Sequence, residues 1–125
     1  MIKKIIYNDE EYNYPVFLFE YLYSYLFRFA IKKEIFSASD EIRINDELIP
    51  EIIIVIECAL RELLENCYIE PSHKSRSQHA SRYQKISLDN KVYIVDFRTN
   101  PVGNTAYGIN LLLNWLKQKN GLTVS

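Results

Sequence analysis

The chain has 125 residues, of which 48% are hydrophobic and 25% charged, with a formal net charge of −1. These values exclude a disordered or fibrous chain, and the length suits a single domain, residues 1–125, that buries roughly two-thirds of its unfolded surface. Ile, Asn, Lys and Tyr supply 45 residues against only 3 Gly, the bias that AT-rich codons give, which points to a bacterial or mobile-element gene.

The opening MIKKIIYNDEE has only a short apolar run and lacks the core and cleavage site of a signal peptide, so a cytoplasmic location is expected. Residues 2–7 are a candidate strand. From Val16 to Phe29 the chain reads VFLFEYLYSYLFRF, aromatic at every odd position, with Glu20, Ser24 and Arg28 recurring every four. A strand of that length is implausible, and a membrane span would need about 20 apolar residues. A helix over 15–35 places Glu20, Ser24, Arg28 and Lys32 on one narrow polar stripe and predicts a mostly buried central helix, with Asn13 as its N-cap and Pro15 in its first turn.

The polar connection after it leaves Glu41 to Ile44 as a short candidate strand, and Asn45 or Asp46 caps a second helix over 48–67. Ile49, Ile52, Ile53, Ile56, Leu60 and Leu63 form its apolar face, and Glu57, Arg61 and Glu65 make i, i+4 pairs on its wet side. Cys58 and Cys67 form no C-x-x-C pair and read as reduced, small apolar residues. SHKSRSQHAS, from Ser72 to Ser81, is a polar loop. RYQKISL and KVYIVDF then flank Asp89-Asn90, predicting an antiparallel hairpin over 82–98, to which residues 2–7 are a candidate third strand. Asn100-Pro101 and Gly103-Asn104 read as a break, and Asn104 or Thr105 as the cap of a last helix over 104–119 stopped by Gly121. The expected class is α+β.

Chemistry-bearing residues are few. His73 and His79 with Lys74, Arg76 and Arg82 carry the base, acid and cation of a metal-independent ribonuclease, on a loop poorly suited to holding them. Cys67, His73 and His79 lack the paired spacing of a zinc site. Asp96 and Arg98 alternate along a strand and face opposite ways. There is no G-x-G-x-x-G, P-loop lysine or G-x-S-x-G. No residue is assigned a catalytic or metal-binding role, no cofactor is expected, and the chain is read as a non-enzyme.

Charge, by contrast, is strongly divided. Residues 1–71 hold 14 acids and 7 Lys or Arg, net −7, and residues 72–125 hold 2 acids and 8 Lys or Arg, net +6. Ion pairs between the halves are one outcome. The basic residues Lys74, Arg76, Arg82, Lys85, Lys91, Arg98, Lys117 and Lys119, with Tyr83 and Tyr93 as stacking platforms, raise nucleic-acid binding as a third reading, which the acidic first half opposes. The acidic residues Asp9, Glu10 and Glu11, and Asp40, Glu41, Asp46 and Glu47, interleave with Tyr12 and Tyr14. Together they read as a partner-binding surface that imitates phosphates towards a basic protein.

In size, charge and lack of motifs the chain is similar to the small immunity proteins that bacteria keep against secreted nuclease toxins, including those of contact-dependent growth inhibition. What this implies is a protein-binding inhibitor, monomeric or homodimeric, that occludes a basic nuclease toxin and binds neither membrane nor nucleic acid directly. The small ribonuclease using His73 and His79 is the alternative.

Overall fold

The computed structural model describes residues 4–34, 41–67, 83–96 and 101–121. The elements run β1 (Lys4–Tyr7), β2 (Glu10–Asn13), α1 (Val16–Lys32), β3 (Glu41–Ile44), α2 (Ile49–Cys67), β4 (Tyr83–Leu88), β5 (Lys91–Asp96) and α3 (Pro101–Lys119). The class is α+β, with a three-stranded sheet ordered β2-β1-β3 and a separate two-stranded hairpin, β4-β5.

The N-terminal strand does not extend the later hairpin. Asn8 and Asp9, with φ of 49° and 69°, fold β1 back on β2 through a left-handed tight turn that polar side chains tolerate. Local closure wins over the distant pairing. The second neighbour of β1 is β3, in parallel register with Ile5 opposite Ile42 and Tyr7 opposite Ile44. Alternation puts Ile5, Tyr7, Ile42 and Ile44 on the face that joins the core. The β4-β5 turn is likewise left-handed at Asp89 and Asn90, φ 55° and 62°, as their residue types demand.

Leu18, Leu22 and Leu26 of α1 are almost completely buried and form a seam at i, i+4 spacing, while Glu20, Ser24, Arg28 and Lys32 are exposed. The expected polar stripe is there, but the helix is not buried nearly all round. Tyr21, Tyr23, Tyr25 and Phe29 are half-buried, and Phe27 and Ile31 are 37% and 54% exposed. The physical reason is that α1 packs on α2 and α3, so only one side of it is covered. Tyr21 Oη donates to the carbonyl of Ala59 (3.3 Å) and Tyr25 Oη to the carboxylate of Glu62, which ties the flank of α1 to α2. Pro15, expected in the first turn, instead occupies the N-cap position of α1 with no side-chain cap, Asn13 belongs to β2, and the helix ends at Lys32, with Lys33 and Glu34 in a turn and residues 35–40 outside the described ones.

α2 is helical through the β-branched run Ile52 to Ile56, because Ile49, Ile52, Ile53, Ile56, Leu60 and Leu64 all reach the core. Burying such side chains, at about 2 kcal/mol each, outweighs the few tenths lost per β-branched residue. Asn45 is the cap: its Oδ1 accepts from the N–H groups of Glu47 (3.0 Å) and Leu48 (3.2 Å). The anticipated pairs within α2 are replaced by pairs to other elements. Arg61 Nε lies 2.6 Å from Asp89 in the hairpin turn, and Glu57 lies 3.5 Å from Lys117 of α3. The second of these links the acidic half to the basic half.

α3 starts three residues earlier than expected, at Pro101, a position where proline lacks only an N–H that needs no partner. Gly103 is therefore inside a helix rather than at a break. A Cβ there would sit 1.8 Å from the carbonyl oxygen of Asp96, so glycine is what lets α3 meet the end of β5. Gly121, at φ +74°, ends the helix as its position suggested.

Candidate interaction site

The β1-β2 turn sets Tyr7 opposite Glu10 and Ile5 opposite Tyr12, which brings both tyrosines to the core-side face of the sheet. There they meet Trp115 from α3. The ring centres lie 4.8 Å apart for Tyr12 and 5.8 Å for Tyr7, and Tyr14, just beyond β2, approaches the same indole at 5.9 Å. The inclined geometries, 59° to 71°, are those that ring quadrupoles favour. Lys119, one helical turn after Trp115, holds its ammonium 5.6 Å from the indole centre, 5.8 Å from Tyr7 and 5.9 Å from Tyr12.

Carboxylates border the cluster. Tyr7 Oη donates to Asp46, and Tyr12 Oη donates to Glu10 Oε2 at 2.8 Å. Each hydrogen bond holds the pKa of its phenol above the ordinary value, because only the neutral phenol can donate it, and partial burial and the carboxylate's charge add to the effect. Tyr14 is also pushed up, in its case mainly by burial. All three hydroxyls are therefore neutral at physiological pH.

The anticipated acidic residues do not share one face. Asp9 is exposed in the β1-β2 turn, and Asp46 and Glu47 are exposed at the entry to α2. The segments that carry them are joined where Asn8 N–H donates to the carbonyl of Ile44 (3.4 Å). Asp9 also borders a groove of about 320 Å³ with Glu34, Arg43 and Asn45. Glu10 lies on the cluster side of the sheet, whereas Glu11 and Glu41 occupy its other face, paired with Lys4 (3.4 Å) and Arg43 (3.9 Å) respectively. Strand alternation separates Glu10 from Glu11, neighbours though they are. Asp40 lies outside the described residues.

Tyr12 and Tyr14 are half-buried against Trp115, so they hold the fold together as well as bordering the acidic corner. Trp115 and Lys119 were not anticipated here. A signal for Trp115 existed: the chain's one tryptophan stands beside the core positions Leu112, Leu113 and Leu116, where an indole flanks a core instead of filling it.

Of the second half's basic residues among the described ones, Lys85 is exposed on β4 and the other three are engaged separately. Lys117 pairs with Glu57, Lys119 lies over the cluster, and Lys91 lies 4.9 Å above the ring of Tyr93. Tyr93 is buried and offers no open face for stacking a base. Lys74, Arg76, Arg82 and Arg98, and the candidate catalytic residues His73 and His79, lie outside the described residues. Among the described residues no group of His, Cys, Asp and Glu is placed to hold a metal ion, and no helix is long and apolar enough to cross a membrane. Compared with family models, curated proteins and solved structures, the chain matches none of them.

Proposed function

We propose that this chain is a cytoplasmic protein-binding inhibitor of the immunity type, which neutralises a basic nuclease toxin by occluding it. The observation that carries the reading is the acidic and aromatic corner. Tyr7, Tyr12 and Tyr14 surround Trp115, Asp46 and Glu10 accept the hydroxyls of Tyr7 and Tyr12, and Asp9 and Glu47 are exposed on the two segments that the Asn8–Ile44 hydrogen bond joins. A nuclease surface is basic because it holds phosphate, so exposed carboxylates increase encounter rate and aromatic anchors lengthen residence. Asp9 and Glu47 have no ion-pair partner among the described residues, which leaves their fields directed at solvent.

The test is co-expression with the protein encoded immediately upstream, where a toxin gene is expected for an immunity gene. Arrest of growth by that protein alone, relief by this chain, and loss of relief when Asp9, Asp46 and Glu47 are reversed to Lys are the expected results. Cleavage of RNA by the purified chain, abolished in the His73→Ala/His79→Ala double variant, would replace the inhibitor with an enzyme.

A further inference from the structure

Lys119 is exposed at the last position of α3 and has no carboxylate within ion-pair distance among the described residues, whereas Lys117, two residues earlier, reaches Glu57 at 3.5 Å. Its ammonium is instead the common neighbour of three rings, at 5.6 to 5.9 Å from the centres of Trp115, Tyr7 and Tyr12. Those distances lie within the range where a ring's negative face attracts a cation, and tryptophan has the strongest such face. The rings are tuned in the same direction. Tyr7 donates to Asp46 and Tyr12 to Glu10, and a phenol that donates to a carboxylate becomes richer in electrons. The same two carboxylates add negative potential at the rim.

We infer that Tyr7, Tyr12 and Trp115 form a receptor for an alkylammonium group, with Lys119 as its internal and exchangeable occupant. The attraction of a solvated ammonium such as that of exposed Lys119 to the outer faces of these rings is weak, and the lysine stem is flexible. An incoming ammonium at high local concentration can therefore take its place, leaving Lys119 to solvent. That the incoming group is a lysine side chain of a basic protein rests on the proposed function; the receptor itself does not.

The chain's one tryptophan is inside the receptor, so its emission reports occupancy directly. Tetramethylammonium chloride is titrated against wild type and Lys119→Met, with sodium chloride at equal ionic strength as the reference. Lys119→Met keeps an unbranched side chain one atom shorter and removes its charge at an exposed position, and circular dichroism checks that the helix is retained. A saturable change in Trp115 emission is expected in Lys119→Met, at a midpoint about two- to five-fold lower than in wild type, where the resident ammonium competes. Adding Tyr12→Leu to Lys119→Met should weaken or abolish it. A natively folded Lys119→Met protein that responds to tetramethylammonium no differently than to sodium overturns the inference, whatever the Tyr12 variant does. A positive titration in a chain that binds no basic protein leaves the receptor standing and removes the inhibitor reading; the reverse pair of results does the opposite.

Discussion

Along α1, Tyr21, Tyr23 and Tyr25 follow one another on a single helix, half-buried, while Leu18, Leu22 and Leu26 take the core. Around Trp115, Tyr7, Tyr12 and Tyr14 come from β1, β2 and the residue just beyond β2 to meet a ring from a helix about a hundred residues away. The first group is conspicuous in the sequence and structurally secondary. The second is scattered in the sequence and becomes one electrostatically coherent patch. What separates them is the number of elements that contribute: a helix alone spreads its aromatics round its axis, whereas a turn, a sheet register and a helix docking together aim several at one point.

The largest effect should come from disturbing that docking. In Gly103→Ala the new methyl would overlap the Asp96 carbonyl, at 1.8 Å, and a loss of about 3 kcal/mol or more is expected, with Trp115 emission shifting as α3 moves. Wild-type urea stability and emission in this variant would mean that the cluster does not depend on how α3 meets β5. Within α1, Leu22→Ala should cost about 3 kcal/mol, because Leu22 is fully buried. Tyr23→Ala should cost about 1 kcal/mol, since its ring stacks on Phe27, 5.0 Å away, at the half-covered flank. Equal losses would show that the aromatic run holds α1 in place.

Alkaline pH probes both groups at once. Tyr14 and Tyr25 are raised chiefly by burial, and Tyr7 and Tyr12 by their hydrogen bonds to Asp46 and Glu10. A phenol whose pKa is raised by folding favours the neutral form, so its contribution is complete below the free phenol's value of 10.0 and is lost as pH rises through the folded-state value. The urea midpoint should therefore decline once pH exceeds 10.0, while tyrosinate absorbance lags behind that of free tyrosine. Normal ionisation of all tyrosines in the folded protein would contradict the burial assigned to both groups. The smallest effect belongs to Ile31→Ser, expected within about 0.5 kcal/mol because that position is already exposed.

The same contrast governs how much could be read in advance. Asn45 as a cap, Asp89-Asn90 as a turn, Gly121 as a stop and the leucine seam of α1 all follow from residues a few positions apart, and all are present. β2 was missed because Glu10–Asn13 carries no apolar alternation; it is a polar edge strand held by its turn. The parallel pairing of β1 with β3, and the gathering of three tyrosines on Trp115, depend on contacts between distant segments that no local pattern encodes. Lys119 was grouped with the basic residues because charge is legible in a sequence, whereas the rings that surround it are not.

The central claim, that the acidic and aromatic corner receives a basic protein, is tested most directly by association kinetics with the protein encoded upstream, followed through Trp115 emission at several salt concentrations. Asp9→Lys with Glu47→Lys changes exposed side chains outside the aromatic packing. It should slow association about tenfold and flatten its salt dependence, with dissociation nearly unchanged. Unchanged association in that variant, with binding abolished by reversing Lys85 and Lys91 on the β4-β5 hairpin, would place the interface on the opposite charge and contradict the account.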